Sequence, residues 1–282
     1  MSANHHPEAS PSLHVITDAS LPPAVLEQAA PELERSGLPL KTGEACSLGR
    51  ELVLFDGRLG PSHAELLQRE PPALLLATRA PGGLPSQWET RVLGSLLRGE
   101  PLMPPGLTVA RLWLERVADI KAASAEASAL VEASRGSRVA AGLAADVMHE
   151  LAANALLDAP VDASGTPRYA HRRDEVQEVA AEDACEVSLA VGEGGIYLEA
   201  VDRFGRLTPA PIARALSSLG GRVQVNASGG GAGLGMRRIL EHGELIAVRV
   251  LPGRETRMLC VVGFGEVRRR AALPKSLLYF QS

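Results

Sequence analysis

Aromatic residues are scarce in this chain. They make up 3% of its 282 residues, as two Trp, three Tyr and four Phe. A core built on stacked rings is excluded, so Leu, Val and Ala have to carry the packing. At 45% hydrophobic content there are enough of them. Cysteine is scarcer still. Cys46, Cys185 and Cys260 are odd in number and far apart. That excludes a disulfide framework and any close-spaced metal or redox motif, and leaves three reduced thiols as the simple reading. No apolar run reaches the ~18 residues of a membrane span. The net charge of -4 gives no overall basic footprint for nucleic acid. Residues 1–11 are polar, with two His, and lack the apolar stretch of a signal peptide, so they predict a disordered tail. These absences lead us to expect a cytoplasmic protein that acts on neither nucleic acid nor membrane.

What is present falls into two halves. Residues 12–100 alternate short apolar runs with helical spacing. The strands are predicted at Leu13–Thr17, Glu51–Phe55 and Ala73–Ala77. The helices are predicted at Pro22–Ser36, Ser62–Gln68 and Gln87–Arg98. Such alternation favours a parallel sheet with helices on its faces. Residues 101–106, with three prolines and a glycine, read as a linker. In the second half, residues 107–266, Val117–Lys121 reads as a strand or as part of a helix over Ala110–Ala133. Ser137–Leu157 is the clearest helix, with Val139, Leu143, Val147, Leu151 and Ala155 as an apolar stripe. A polar stretch, Asp158–Asp183, is long for a connection and marks a functional segment. Strands at Glu186–Val191 and Ile196–Val201 follow, then helices at Ile212–Leu219 and Leu234–Glu241. A second hairpin, Leu245–Leu251 with Arg257–Val262, completes a two-layer α/β sandwich. Leu278-Tyr-Phe-Gln-Ser282 resembles part of a protease-cleavage tag, so residues 267–282 are set outside the fold as a tail.

Three polar motifs stand out in the second half. On the long helix, Asp146, Glu150, Asn154 and Asp158 share one face at i, i+4 spacing. An Asn carbonyl and carboxylates are hard oxygen ligands suited to Mg²⁺, and a Glu one turn earlier suits a general base. A solvated helix face is the plain alternative. Asp202 ends an apolar strand, where a carboxylate can accept a hydrogen bond from an exocyclic amine. Gly205, three residues on, would let backbone approach a flat base. An ordinary Asp-Arg-Phe-Gly turn explains the same residues. Last, Gly229-Gly-Gly-Ala-Gly-Leu-Gly235 leads into a helix, so its N–H groups can cradle phosphate, with Arg237 and Arg238 adding charge. A flexible linker is the alternative here. The loop lacks the Lys-Ser/Thr ending of a P-loop.

In this order, the motifs resemble the asparagine box and the two glycine boxes of the Bergerat-fold ATPases. That superfamily includes gyrase, ATP-driven chaperones, mismatch-repair ATPases, sensor histidine kinases and anti-sigma-factor serine kinases. The resemblance covers roughly residues 117–265. It implies a two-layer Bergerat sandwich that binds ATP and Mg²⁺. Asn154 would coordinate the metal, Asp202 would bind the adenine amine and Gly205 would line the base pocket. Gly231, Gly233, Leu234 and Gly235 would contact phosphates, with residues 206–230 as a lid. Glu150 would be the catalytic base. No helix carrying a phosphoacceptor histidine precedes these boxes, as in the anti-sigma-factor kinases. His149, inside the long helix, reads as a packing or surface residue.

The first half resembles a response-regulator receiver, a flavodoxin-like parallel α/β domain. Asp18, Asp56 and Thr78 follow its three strands, where receivers hold an Mg-binding acid, the phosphorylated Asp and a switch hydroxyl. Glu100-Pro101 stands where a Lys is expected, and a carboxylate cannot neutralise an acyl phosphate. The site therefore reads as vestigial. Together the halves imply a bacterial-type signalling protein that binds Mg-ATP and regulates a protein partner, by Ser/Thr phosphotransfer, as a slow ATPase or as an inactive scaffold. A second copy of the chain is a further candidate partner.

Overall fold

The computed structural model describes residues 12–40, 50–80, 83–219, 232–265 and 273–282. Within them the protein is mixed α/β, with nine strands and seven α-helices. The first half contributes β1 (Leu13–Thr17), α1 (Ala24–Arg35), β2 (Arg50–Phe55), α2 (Pro61–Leu67), β3 (Leu74–Ala77) and α3 (Gln87–Leu97). After residues 101–106, which are coil, come β4 (Val109–Leu114), α4 (Val117–Ala133) and α5 (Arg138–Ala153). Next follow β5 (Cys185–Gly192), β6 (Gly195–Asp202), α6 (Pro209–Ser217), α7 (Ala232–His242), β7 (Leu245–Leu251), β8 (Glu255–Val262) and β9 (Ser276–Gln281).

All nine strands belong to one sheet, in the order β1-β2-β3-β9-β7-β8-β6-β5-β4. The first three are parallel, and β4, β5, β6, β8 and β7 are antiparallel. Strand β9 joins the groups, antiparallel to β3 and parallel to β7. On one face of the sheet α2, α4, α5, α6 and α7 cover a single apolar core, in which alanines of α4 and α5 let the helices approach closely. On the other face α1 and α3 cover β1, β2, β3, β9 and β7. Strands buried on both faces need apolar residues at every position. Leu74 and Leu76 point to one core and Leu75 and Ala77 to the other.

Three expectations need correction. The supposed tail is β9. Leu277, Leu278 and Tyr279 are fully buried, and Lys275-Ser276 anchors its start. Lys275 Nζ donates to the carbonyls of Glu241 and Gly243 at the end of α7, both at 2.8 Å. The alternation in Leu277–Phe280 is that of a strand with cores on both sides; likeness to a cleavage tag masked it. Second, the parallel strands run 1-2-3, with β1 at the edge. A receiver runs 2-1-3, so the first half is parallel α/β without receiver topology. Third, of the two readings of Val117–Lys121 the helical one holds, but the helix, α4, begins at Val117 and not at Ala110. Asp119 reaches back to accept the N–H groups of Arg116 at 2.9 Å and Glu115 at 3.2 Å, which fixes the helix start. The strand lies just before, where Leu112 packs on the core and Leu114 is buried within it while Trp113 is 46% exposed.

Cys185 and Cys260 are free and buried, and burial pushes both thiols up to about 12, so they are unreactive near neutrality. Cys46 lies outside the described residues. No helix among the described residues is long and apolar enough to cross a membrane.

If β9 is integral to the fold, Tyr279→Ala should cost about 3–5 kcal/mol in urea unfolding. Its ring is fully buried and its hydroxyl donates to the Leu207 carbonyl at 2.8 Å. An unchanged midpoint would identify the segment as dispensable.

Candidate functional site

Helix α5 starts at Ser137, whose Oγ accepts the Ala140 N–H at 3.1 Å. Its buried side is set by Ala140, Ala144, Val147, Met148 and Leu151. Val139, placed on the apolar stripe from its spacing, is instead 51% exposed. At its end the helix widens into a single π-turn, Asn154–Asp158, in which Ala159 N–H bonds the Asn154 carbonyl at 2.9 Å. Such turns interrupt the regular ladder and are common at functional sites. Asn154 and Asp158 on the widened turn line a cavity, and Glu150, one turn earlier, is buried beside it without lining it, whereas Asp146 and His149 are exposed.

The cavity holds about 300 Å³, at the lower end of the usual range for small-molecule sites. Its walls are apolar, from Leu151, Ala155, Leu207, Pro211, Met236 and Met258. Asp202 and Thr256, opposite each other on β6 and β8, form a polar patch among them. Asp202 Oδ1 accepts the N–H groups of Phe204 at 2.8 Å and Gly205 at 3.2 Å. Burial pushes the Asp202 carboxyl above its ordinary value, against these backbone bonds and the neighbouring Thr256. Thr256 Oγ1 is itself buried and makes no hydrogen bond of regular geometry.

Glu150 and Gly235 meet at the polar end. A Cβ on Gly235 would collide with Glu150 Oε2 and would lie 3.8 Å from Asn154 Oδ1. A side chain at 235 would have to push the Glu150 carboxylate aside. Arg238, one turn further along α7, donates from Nη1 to Glu150 Oε1 at 2.7 Å. The Asn154 side chain makes no hydrogen bond to another described residue. Among the described residues no group of three or more His, Cys, Asp or Glu is placed to hold a metal. An ion at Asn154 would therefore draw further ligands from phosphate and water.

Residues 158–183 fold over the cavity. Val161, Gly165 and Pro167 line it. The strap is tied down at both ends. Arg173 grips Asp158, with Nε to Oδ1 at 2.8 Å, and Arg168 with Tyr169 holds the buried Asp183 at 2.7–3.0 Å. Burial raises the Asp158 carboxyl, opposed by Arg173 and reinforced by Glu150.

The structure thus brings together Glu150, Asn154, Asp202 and Gly235. Gly205 has a different role. It takes φ +60, and a Cβ there would collide with the Leu251 carbonyl, so the β7–β8 turn requires glycine whatever ligand binds. Gly233 and Leu234 are exposed in the first turn of α7 and do not line the cavity. Gly231 and residues 220–230 of the expected lid lie outside the described residues. Sequence reading missed Thr256 as a pocket wall; it placed Arg206 in the lid and marked the strap as a functional segment without singling out Val161, Gly165 or Pro167.

Asp18, Asp56 and Thr78 follow the C-terminal ends of β1, β2 and β3. Their polar atoms are spent locally. Asp18 takes the Ser20 N–H at 2.8 Å and lies 3.6 Å from buried His63 Nε2. Asp56 takes the Arg58 N–H at 2.9 Å, and Thr78 Oγ1 donates to the Phe55 carbonyl at 3.0 Å. Glu100 pairs with Arg98 at 2.8 Å.

No model of a known protein family matches the chain, and no curated protein matches it.

Two outcomes follow. The folded Asp202 pKa is raised, so its contribution to stability is full below the unfolded pKa and is lost as pH rises through the folded one. Asp202→Asn should therefore raise the melting temperature near neutrality, and by much less below about pH 4. An equal gain at both pH values would assign the effect to packing. Acetyl phosphate should add no mass at Asp56, as read by intact-protein mass spectrometry.

Proposed function

We propose that this protein binds Mg-ATP in the cavity between α5, α7 and the β6–β8 face, in the manner of a Bergerat-fold domain. The observation that carries the reading is the pairing of one buried carboxylate, Asp202, with an otherwise apolar slot that Asn154 and Met236 of α7 also line, with Glu150 and Gly235 packed together beside Asn154. An adenine ring suits such a slot. Leu151, Ala155, Met236 and Met258 would pack against the ring, and the Asp202 carboxylate, whose Oδ1 takes the Phe204 and Gly205 N–H groups, would accept from its exocyclic amine. The phosphates run toward the first turn of α7, where free N–H groups and the helix dipole favour an anion. Arg206, exposed at the cavity wall and without a hydrogen bond or ion pair to another described residue, adds positive charge. Bound magnesium would neutralise phosphate charge, held by the free amide oxygen of Asn154.

On this reading the chain is an ATP-dependent signalling protein that acts on a protein partner. In its kinase form Glu150 takes the proton of a partner's Ser or Thr hydroxyl. That oxygen then bonds to the terminal phosphorus as the bond to the ADP oxygen breaks. One observation favours the scaffold alternative instead. The Arg238 guanidinium already occupies Glu150 Oε1, so one oxygen of the candidate base is engaged.

Calorimetry tests the reading. Mg-ATP should bind the wild type. Asp202→Asn should weaken binding by about tenfold or more, the worth of a hydrogen bond to a charged group. Asn154→Ala should make binding insensitive to magnesium. Wild-type protein that takes up neither ATP nor ADP at millimolar concentration would remove the proposal.

A further inference from the structure

Arg238, on α7, is bonded to the candidate base, Nη1 to Glu150 Oε1 at 2.7 Å, one turn of α5 before the cavity-lining Asn154. It lies at i+3 from Gly235, so both face α5. Its side chain is 58% exposed and extends over the surface, whereas Glu150 is held in place, 12% exposed, with Oε2 against Gly235 and Oε1 on Arg238. One partner of this pair is thus fixed and the other is free to move. The carboxylate tip packs against the backbone of Gly235 on α7. Only the Arg238 end of the pair is open to water, so a stronger anion can reach the guanidinium there and compete for it. A phosphoryl group offers Arg two coplanar acceptors and up to two charges, against the single oxygen that Glu150 presents here.

Resting on the nucleotide reading above, we infer that Arg238 is a sensor of the terminal phosphate: it leaves Glu150 for the γ-phosphate of a nucleoside triphosphate and thereby frees the carboxylate. In the empty or diphosphate-bound protein the pair stays closed, which keeps Glu150 from acting as a base on water. With triphosphate bound, the same guanidinium contacts the group to be transferred, and Glu150 becomes available to a hydroxyl. The device makes the ratio of ATP to ADP affinity depend on Arg238.

The test is a double-mutant cycle by calorimetry on the full chain, titrating Mg-ATP and Mg-ADP into wild type, Arg238→Met, Glu150→Gln and the double variant. ADP binding by each variant also reports that it is folded. The ratio of ATP to ADP affinity should fall about tenfold in Arg238→Met and stay low in the double variant, because a charge-assisted bond to phosphate is lost in both. Glu150→Gln alone should raise the ratio, because the carboxylate no longer competes for the guanidinium. Recovery of the wild-type ratio in the double variant would overturn the inference, since Arg238 would then only neutralise Glu150. An unchanged ratio in Arg238→Met would overturn it as well. Wild type that binds neither nucleotide is a distinct result and removes the nucleotide reading together with the inference.

Discussion

The fold is organised around a carboxylate with no contact to water. Glu89, on α3, has none of its surface exposed. It takes two hydrogen bonds from Arg79, at 2.9 and 2.8 Å, and one from Ser276 Oγ at 2.6 Å. Arg79 continues to the Glu244 carboxylate at 2.9 Å and to its carbonyl at 2.8 Å, and Ser276 accepts the Ala77 N–H at 2.9 Å. An unpaired charge at this depth would cost several kcal/mol, so the arrangement is close to all-or-none. Arg79 follows β3, Ser276 begins β9 and Glu244 precedes β7. The network therefore fixes the register in which β9 enters between the two halves. Hydrophobic burial alone would tolerate β9 slipped by two residues, because its apolar positions repeat. A buried serine that must meet Glu89 does not tolerate the slip.

With β9 in place, the antiparallel half of the sheet has a fixed edge, and the pocket can be assembled from rigid parts. Asp202 and Thr256 come from paired strands, and Glu150 and Asn154 from the helix lying across them. The strap after α5 is a wall without regular structure, as is the coil at Arg206 and Leu207, and three arginine and tyrosine contacts to aspartates hold the strap. The site concentrates the features that local stability would avoid. It buries a carboxylate at Asp202, leaves Thr256 Oγ1 without a regular partner and presses a glutamate against a helix backbone. Departures of this kind mark places where a sequence serves a ligand rather than the fold.

Most elements were legible because their apolar periods were unmixed, as in Leu13–Thr17 or Glu51–Phe55. Helix α5 and its polar face were legible from i, i+4 spacing, and with them Glu150 and Asn154. Asp202 was legible from its place at a strand end. What was hidden depended on contacts distant in sequence. Strand β4 alternates correctly but carries an outward Trp113 and runs into the alanine-rich α4, so its pattern blurred into helix. The parallel order 1-2-3 cannot be read from a β-α-β-α-β string that a 2-1-3 sheet shares. Gly205 was assigned to a ligand because a glycine states only that space is short, not what occupies it. The Leu251 carbonyl occupies it here. The role of Arg238 was visible only as nearby charge, since its partner lies 88 residues earlier.

Helix α7 is tied at both ends to different parts of the molecule. Near its start, Gly235 abuts Glu150 and Arg238 grips it. At its end, Lys275, the residue before β9, holds the last carbonyls. Eleven residues of helix make a strut about 16 Å long, stiff along its axis. A load applied at the cavity therefore arrives at the seam between the two halves of the sheet without an intervening loop to absorb it.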